Sequence, residues 1–273
     1  LGWITDGNTK TDGNNVQAGL DRVAPDGIEA GTDATSPTRN FTFEYSPYDP
    51  NNGAGQSPLL TEFQKGSITQ LFYISNWFHD EAYRLGFNEA ARNFQNVNFT
   101  GQGLGNDRIR AEAQDSSGSN NATFKSPADG TRGKMQMFLF TSTNANIDGG
   151  LDGDVVVHEL THGLSNRLHG NSSGLFNDMS RGMGEGWSDF FAMSMLSHPN
   201  DLPNGIYTMG AYVTSRFVEP PSISSNAYYG IRRFPTAILS SVGENGKPYN
   251  PLTFADIDAT QIDISDGAFG PKP

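Results

Sequence analysis

The first sixty residues hold few apolar positions among Gly, Asn, Asp and Pro, and only Phe41, Phe43 and Tyr45 alternate with polar neighbours as a strand does. Loops and short strands laid over a core are expected there. From Ser67 the period lengthens. Ile68, Leu71, Phe72, Phe78, Ala82 and Leu85 fall on one helical stripe with Ser75 in the same row, Ile74 and Trp77 widen the apolar face, and Gly86 supplies a stop. Residues 96–133 return to polar loops and short strands, including Asn120 to Phe124. Lys134 to Phe140 then reads as a strand with Met135, Met137 and Leu139 on one face.

Beyond an acidic, glycine-rich loop from Asp148 to Asp154, the residues Val157, Thr161, Leu164 and Leu168 again fit one helical stripe, closed by Gly170. A further helix is expected from about Gly184 to Ser197, with Pro199 beyond it. Loops follow around Pro203, Pro220-Pro221 and Pro248.

Composition narrows the chemistry. The 273 residues, 35% hydrophobic, suffice for one large domain or two small ones, and no run approaches the roughly 18 apolar residues of a membrane span. Eighteen basic against thirty acidic side chains leave a formal charge of −12, which opposes binding to nucleic acid and to anionic membrane surfaces. Cysteine is absent, so thiol catalysis, disulfide scaffolding and thiolate metal sites are excluded, and any metal must be held by nitrogen and oxygen. With Leu1 first and no basic segment and apolar run behind it, a mature form trimmed at its N-terminus is expected. Sequons at Asn40, Asn98, Asn121 and Asn171 permit glycosylation.

One constellation carries chemistry. His158-Glu-Leu-Thr-His162 sets two imidazoles four residues apart on a helix, so both leave the same face and can share one metal ion, with Glu159 beside them. Zinc suits such ligands and, in a catalytic site, needs a third protein ligand. Glu185, in Gly182-Met-Gly-Glu-Gly-Trp-Ser-Asp189, is the candidate. Asp189 lies four residues further along the same face, placed to accept the free ring N–H of a ligand histidine. His79, His169 and His198 read as structural: the first within an apolar stripe, the others at helix ends. The spaced aspartates of the 148–154 loop permit calcium, but capping of the following helix by Asp152 or Asp154 is the favoured reading.

His158 to Leu168 and Gly182 to Phe190 resemble the corresponding motifs of the fungalysin family of secreted metallopeptidases, within the thermolysin-like group. Weaker echoes occur in Gln70 to Tyr73, His79-Asp80, Gly105 to Asp107 and Pro127 to Gly130, so the likeness covers roughly residues 66–240. The resemblance implies that His158, His162 and Glu185 are zinc ligands, Glu159 the catalytic carboxylate and Asp189 the partner of a ligand histidine. It implies further that Asn121-Ala122 is the edge-strand step that binds peptide, and that an arginine holding a substrate carbonyl is Arg232, with Arg233 as the alternative. The resemblance also implies an α+β fold, with a β-rich lobe over 1–165 ending in the His-Glu helix and then the start of a helical lobe over 166–273.

Family members continue with more of that helical lobe, including a histidine that stabilises the tetrahedral intermediate. No histidine of this chain is a convincing substitute, so the lobe is expected to be incomplete, with a companion C-terminal fragment as a candidate partner. The implied function is a secreted zinc endopeptidase acting on proteins and peptides and held inactive before maturation by an inhibitory propeptide. A zinc aminopeptidase and a zinc-binding, non-catalytic fragment of a clipped protease are the alternatives.

Overall fold

The computed structural model describes residues 2–43, 60–141, 146–214, 230–232, 234–242 and 249. The described part is a mixed α+β structure. Strands β1 (Val16–Leu20), β2 (Ile109–Ala113), β3 (Ala122–Lys125) and β4 (Lys134–Met137) form one sheet in the order β1-β2-β4-β3. The first three neighbours run parallel, with Val16 opposite Ile109 and Ala111 opposite Met135. β3 is antiparallel to β4, with Ala122 opposite Met137, and forms the sheet edge. A short antiparallel pair, β5 (Leu139–Phe140) and β6 (Ile147–Asp148), follows.

Alternation sorts the side chains of the sheet. Val16, Ala18, Ala111, Ala113, Met135 and Met137 have no exposed surface and point toward the helices. Burying each methionine contributes about 1.5–3 kcal/mol. Gln17, Arg110, Glu112, Lys134 and Gln136 stand on the opposite face, which is therefore polar. The helices α1 (Leu60–Arg84), α2 (Gly153–Leu168), α3 (Asp178–Met195) and the single turn α4 (Ala211–Thr214) complete the framework.

The stripe read from Ser67 is buried at Ile68, Leu71, Phe72, Ser75, Phe78 and Ala82, and Ile74 joins it. Leu85 does not: it lies just past the end of α1 and is 71% exposed. Leu168 likewise turns outward from the last turn of α2, while Val157, Thr161 and Leu164 are buried. The expected strand at 134–140 is broken at Phe138, so Met135 and Met137 share the core face of β4 whereas Leu139 belongs to the second strand pair. Phe41 and Phe43 pack against the core without forming a strand. Tyr45, Pro220-Pro221 and Pro248 lie outside the described residues.

Candidate metal centre

The N-terminus of α2 is fixed by the acidic loop before it. The Asp152 side chain accepts from the backbone N–H of Asp154 and Val155 and so caps the first turn. Its second oxygen accepts from Val213 N at 3.0 Å, and Asp154 accepts from Gly210 N at 3.1 Å, which ties α4 to the start of α2. Burial, reinforced by the neighbouring Asp154 charge, pushes the Asp152 carboxyl up to about 6. Asp148 accepts from Gly150 N and from Gln114 Nε2. Both oxygens of Asp148 and of Asp152 and one oxygen of Asp154, which permitted a calcium reading, are thus taken up by backbone N–H groups and one amide.

α2 then packs closely on the sheet edge. A Cβ added to Gly163 would come within 2.8 Å of the Phe124 ring on β3, so glycine is what lets the helix approach that strand. Arg167, one turn further on, is fully buried. It donates to the carbonyls of Pro127, Arg92 and Thr131, pairs with Asp107 at 2.9 Å and lies 4.1 Å from the Phe94 ring centre. The loop after β3 and the segments that precede β2 are thereby anchored to the helix. Sequence reasoning gave Arg167 no role, because its partners are 36 to 75 residues away in the chain.

α3 runs beside α2 and starts earlier than its apolar pattern indicated. Asn177 accepts from Ser180 N as N-cap, and the helix begins at Asp178, six residues ahead of the expected start at Gly184. From this frame His158 and His162 meet Glu185. The two Nε2 atoms are 3.0 Å apart, with Glu185 oxygens 3.2 Å from His158 Nε2 and 3.4 Å from His162 Nε2. One donor atom from each lies within 4.8 Å of the others. His158 Nδ1 is 2.7 Å from Asp189 Oδ1. Asp189 is held in turn by Arg232, whose Nε and Nη2 each donate to it at 2.6 Å.

Charge follows this geometry. Burial pulls the His158 imidazole down, but hydrogen bonds to Asp189 and Glu185 outweigh it and lift its pKa to about 9. Hydrogen bonds from His158 and His162 hold the Glu185 carboxyl far below its ordinary value. Glu159, buried on the same helix, is pushed up by desolvation. The site stabilises positive charge where two imidazoles face a carboxylate.

These groups open on a cleft of about 610 Å³ lined by His158, Glu159, His162 and Glu185, with Asn121 and Ala122 of the sheet edge along one side. Asn121 is exposed at the mouth and Ala122 is buried at the start of β3. Arg232 also lines the cleft, with the two described hydrogen-bonding nitrogens turned to Asp189; Arg233 lies outside the described residues. The other histidines stand elsewhere. His79 bonds Asp80 and Gln95, His169 bonds Ser165 O and stacks on Trp187, and His198 accepts from Asn200 N.

Two imidazoles four residues apart on one helix, with a carboxylate supplied by the next, make a donor set of the kind that mononuclear zinc hydrolases use. The chain belongs to the fungalysin metallopeptidase (M36) family, whose model matches residues 1–266. It is 39% identical over 263 residues to extracellular metalloproteinase 10 of Coccidioides posadasii, covering 94% of this chain and 38% of that protein. It is 40% identical to the extracellular metalloproteinase mep of Aspergillus terreus, over 94% of this chain and 37% of the relative. With the extracellular metalloproteinase MEP of Pyricularia oryzae it shares 45% over 223 residues, 79% of this chain and 34% of the relative. The chain thus spans little more than a third of the length of the relatives it matches. Among the described residues no helix is long and apolar enough to cross a membrane.

Proposed function

We propose that the protein is a secreted zinc-dependent endopeptidase with the thermolysin-like arrangement of a β-rich lobe over 1–165 and a helical lobe beginning at 166. The observation that carries this reading is the meeting of His158, His162 and Glu185 in a cleft edged by β3, with Glu159 beside them. The donor set fits zinc: two neutral imidazoles and one carboxylate supply nitrogen and oxygen at a single point, and leave one tetrahedral position for water. A zinc ion there supplies a Lewis acid that acidifies water and polarises the scissile carbonyl.

The chain's own groups do the remainder. Asp189 accepts the Nδ1 proton of His158, which fixes the tautomer and leaves Nε2 as a lone-pair donor. Arg232 clamps Asp189 with two hydrogen bonds, which makes it a positioning residue in addition to the carbonyl-holding role that the family resemblance implies. Glu159 takes a proton from the attacking water and passes it to the leaving amine, and its desolvated carboxyl suits that exchange. Among the described residues no strand pairs with the outer side of β3, and a peptide added as a further strand beside Asn121-Ala122 would be held by main-chain hydrogen bonds that read no side chain. The cleft shape then sets preference.

Glu159 and Glu185 are the acidic side chains among the described residues lining the cleft, and both are assigned. That favours an endopeptidase over an aminopeptidase, which needs further carboxylates for the substrate's free amine. The relatives are named as extracellular metalloproteinases, which supports export, and an inhibitory propeptide belongs to the same proposal. A second reading, a zinc-binding fragment without turnover, is favoured by one observation. Met179, Met183 and Phe190 lie in one row on α3 and are exposed, as expected of a helix that a companion C-terminal segment covers.

Hydrolysis of blocked and free-amine peptides by the purified protein, with zinc and with chelator, tests these readings together. Endopeptidase action cleaves both internally and stops with chelator. Glu159→Gln should retain zinc and lose hydrolysis by about 100-fold or more. Zinc binding without turnover in the unaltered protein assigns the fragment reading instead.

A further inference from the structure

A second group of converging carboxylates lies on the polar face of the sheet, away from the cleft. Asp21 and Asp26, in the loop after β1, together with Glu112 on β2 and Asp115 just beyond it, each bring one oxygen within 4.8 Å of the others. Asp21, Glu112 and Asp115 are buried and Asp26 is exposed. Three of the four have hydrogen-bond donors. Gly27 N donates to Asp21 at 2.7 Å, Ser117 N to Asp115 at 2.7 Å, Gln136 Nε2 also to Asp115, and Lys134 Nζ to both Asp26 oxygens at 3.0 Å.

Glu112 differs from them. It has no exposed side-chain surface, and neither of its oxygens accepts a hydrogen bond. Arg110 Nε is 2.6 Å from Oε1 but outside hydrogen-bonding direction, and that Nε makes no other hydrogen bond; Lys134 Nζ is 4.0 Å from Oε2. Arg110 and Lys134 face the four carboxylates, with Arg132 acting on Glu112 from further away, so the cations are fewer than the anions and the fully buried Glu112 has charge contacts but no hydrogen bond. Burial pushes the Glu112 carboxyl up to about 8, with Arg110 and Lys134 opposing and Asp21 and Asp115 adding to the rise. Such a group is costly to keep ionised unless a cation meets it.

We propose that Asp21, Asp26, Glu112 and Asp115 form a divalent-cation site, of calcium type, that fastens the loop after β1 to the outer face of the sheet. All four donors are hard oxygens, and their mutual separation suits a shell with metal–oxygen bonds of about 2.3–2.6 Å. Calcium accepts an irregular shell of oxygens, whereas magnesium demands near-octahedral geometry and keeps its waters. The site shares no residue with the His158, His162 and Glu185 cluster and does not rest on its zinc or its activity. Its role is structural: the ion joins the 21–26 loop to β2 across an interface whose charge is otherwise unbalanced, and shields that loop from cleavage.

Calorimetric titration of the purified protein with calcium chloride, at saturating zinc, tests this. One calcium per chain is expected, together with a higher thermal midpoint and slower cleavage within residues 21–30 by an added protease. Asp26→Asn and Glu112→Gln should each weaken calcium binding by about tenfold or more, with the far-ultraviolet circular dichroism unchanged. Asp26 is exposed, so that variant keeps the measurement decisive if Glu112→Gln fails to fold. Lys134→Met should bind calcium more tightly, because its ammonium competes for Asp26. Absence of calcium binding, or binding with unaltered affinity in Asp26→Asn, overturns the proposal. So does a Lys134→Met variant that is destabilised and takes up no calcium, because Lys134 is then the cluster's own cation.

Discussion

At the scale of single residues, the metal centre is organised by what each imidazole nitrogen is bonded to. Without a cation, Asp189 and Glu185 keep a proton on His158 up to about pH 9. Zinc must displace it, so affinity should rise about tenfold per pH unit for this proton as pH increases toward 9, and flatten above. The sign for the metal-free fold is opposite. The raised His158 pKa contributes stability fully present below the unfolded value of 6.5 and lost as pH rises through about 9. Competition titrations with a zinc-sensitive dye across pH 6 to 10 measure the first, and urea midpoints of metal-free protein the second. Asp189→Asn should weaken zinc by about 10–100-fold while leaving the helices intact. The two pairs were legible in the sequence, because four-residue helical spacing puts His158 with His162 and Glu185 with Asp189 on one face each, whereas the meeting of the two pairs depends on how α2 and α3 pack. The contact of Arg232 with Asp189 was not legible, since 43 residues separate them and no periodicity links them.

At the scale of elements, the packing of α2 on β3 and the following loop aligns His158 and His162 with the strand edge. Gly163→Ala should cost about 1–3 kcal/mol, because the added methyl meets the Phe124 ring and the core repacks only partly. Arg167→Met should cost about 3–5 kcal/mol, since Asp107 is left buried without its cation. Denaturant midpoints of the two variants check both. Equal stability of Arg167→Met and the unaltered protein would remove Arg167 as the anchor of the loop after β3. α1, α2 and α3 were foreseen because each carries a helical stripe, although α1 and α3 begin earlier than expected. In α3 the polar, glycine-containing first turns from Asp178 hide the start, and the Asn177 cap reveals it. β1 and β2 went unassigned. Three of their six core-facing residues, Ala18, Ala111 and Ala113, are alanines, too small to make the alternation with Val16, Leu20 and Ile109 stand out as an apolar pattern.

For the molecule as a whole, an α+β framework brings the β3 edge, which has no further strand among the described residues, two helices and a polar sheet face into one body, and its family membership agrees with the motifs. The exposed row Met179, Met183 and Phe190 belongs to this scale. Replacing Met179 and Met183 by Lys should reduce binding of an apolar dye and self-association, measured by fluorescence and light scattering, without changing zinc affinity. An unchanged dye signal would show that this face is not an interaction surface.

The most direct measurement is zinc-edge anomalous diffraction from crystals of the zinc-loaded protein. The account predicts a single strong peak, with Nε2 of His158 and His162 at about 2.0–2.1 Å and a Glu185 oxygen at about 2.0–2.2 Å. A peak bound elsewhere, or one coordinated by the histidines with Glu185 turned away, would contradict it.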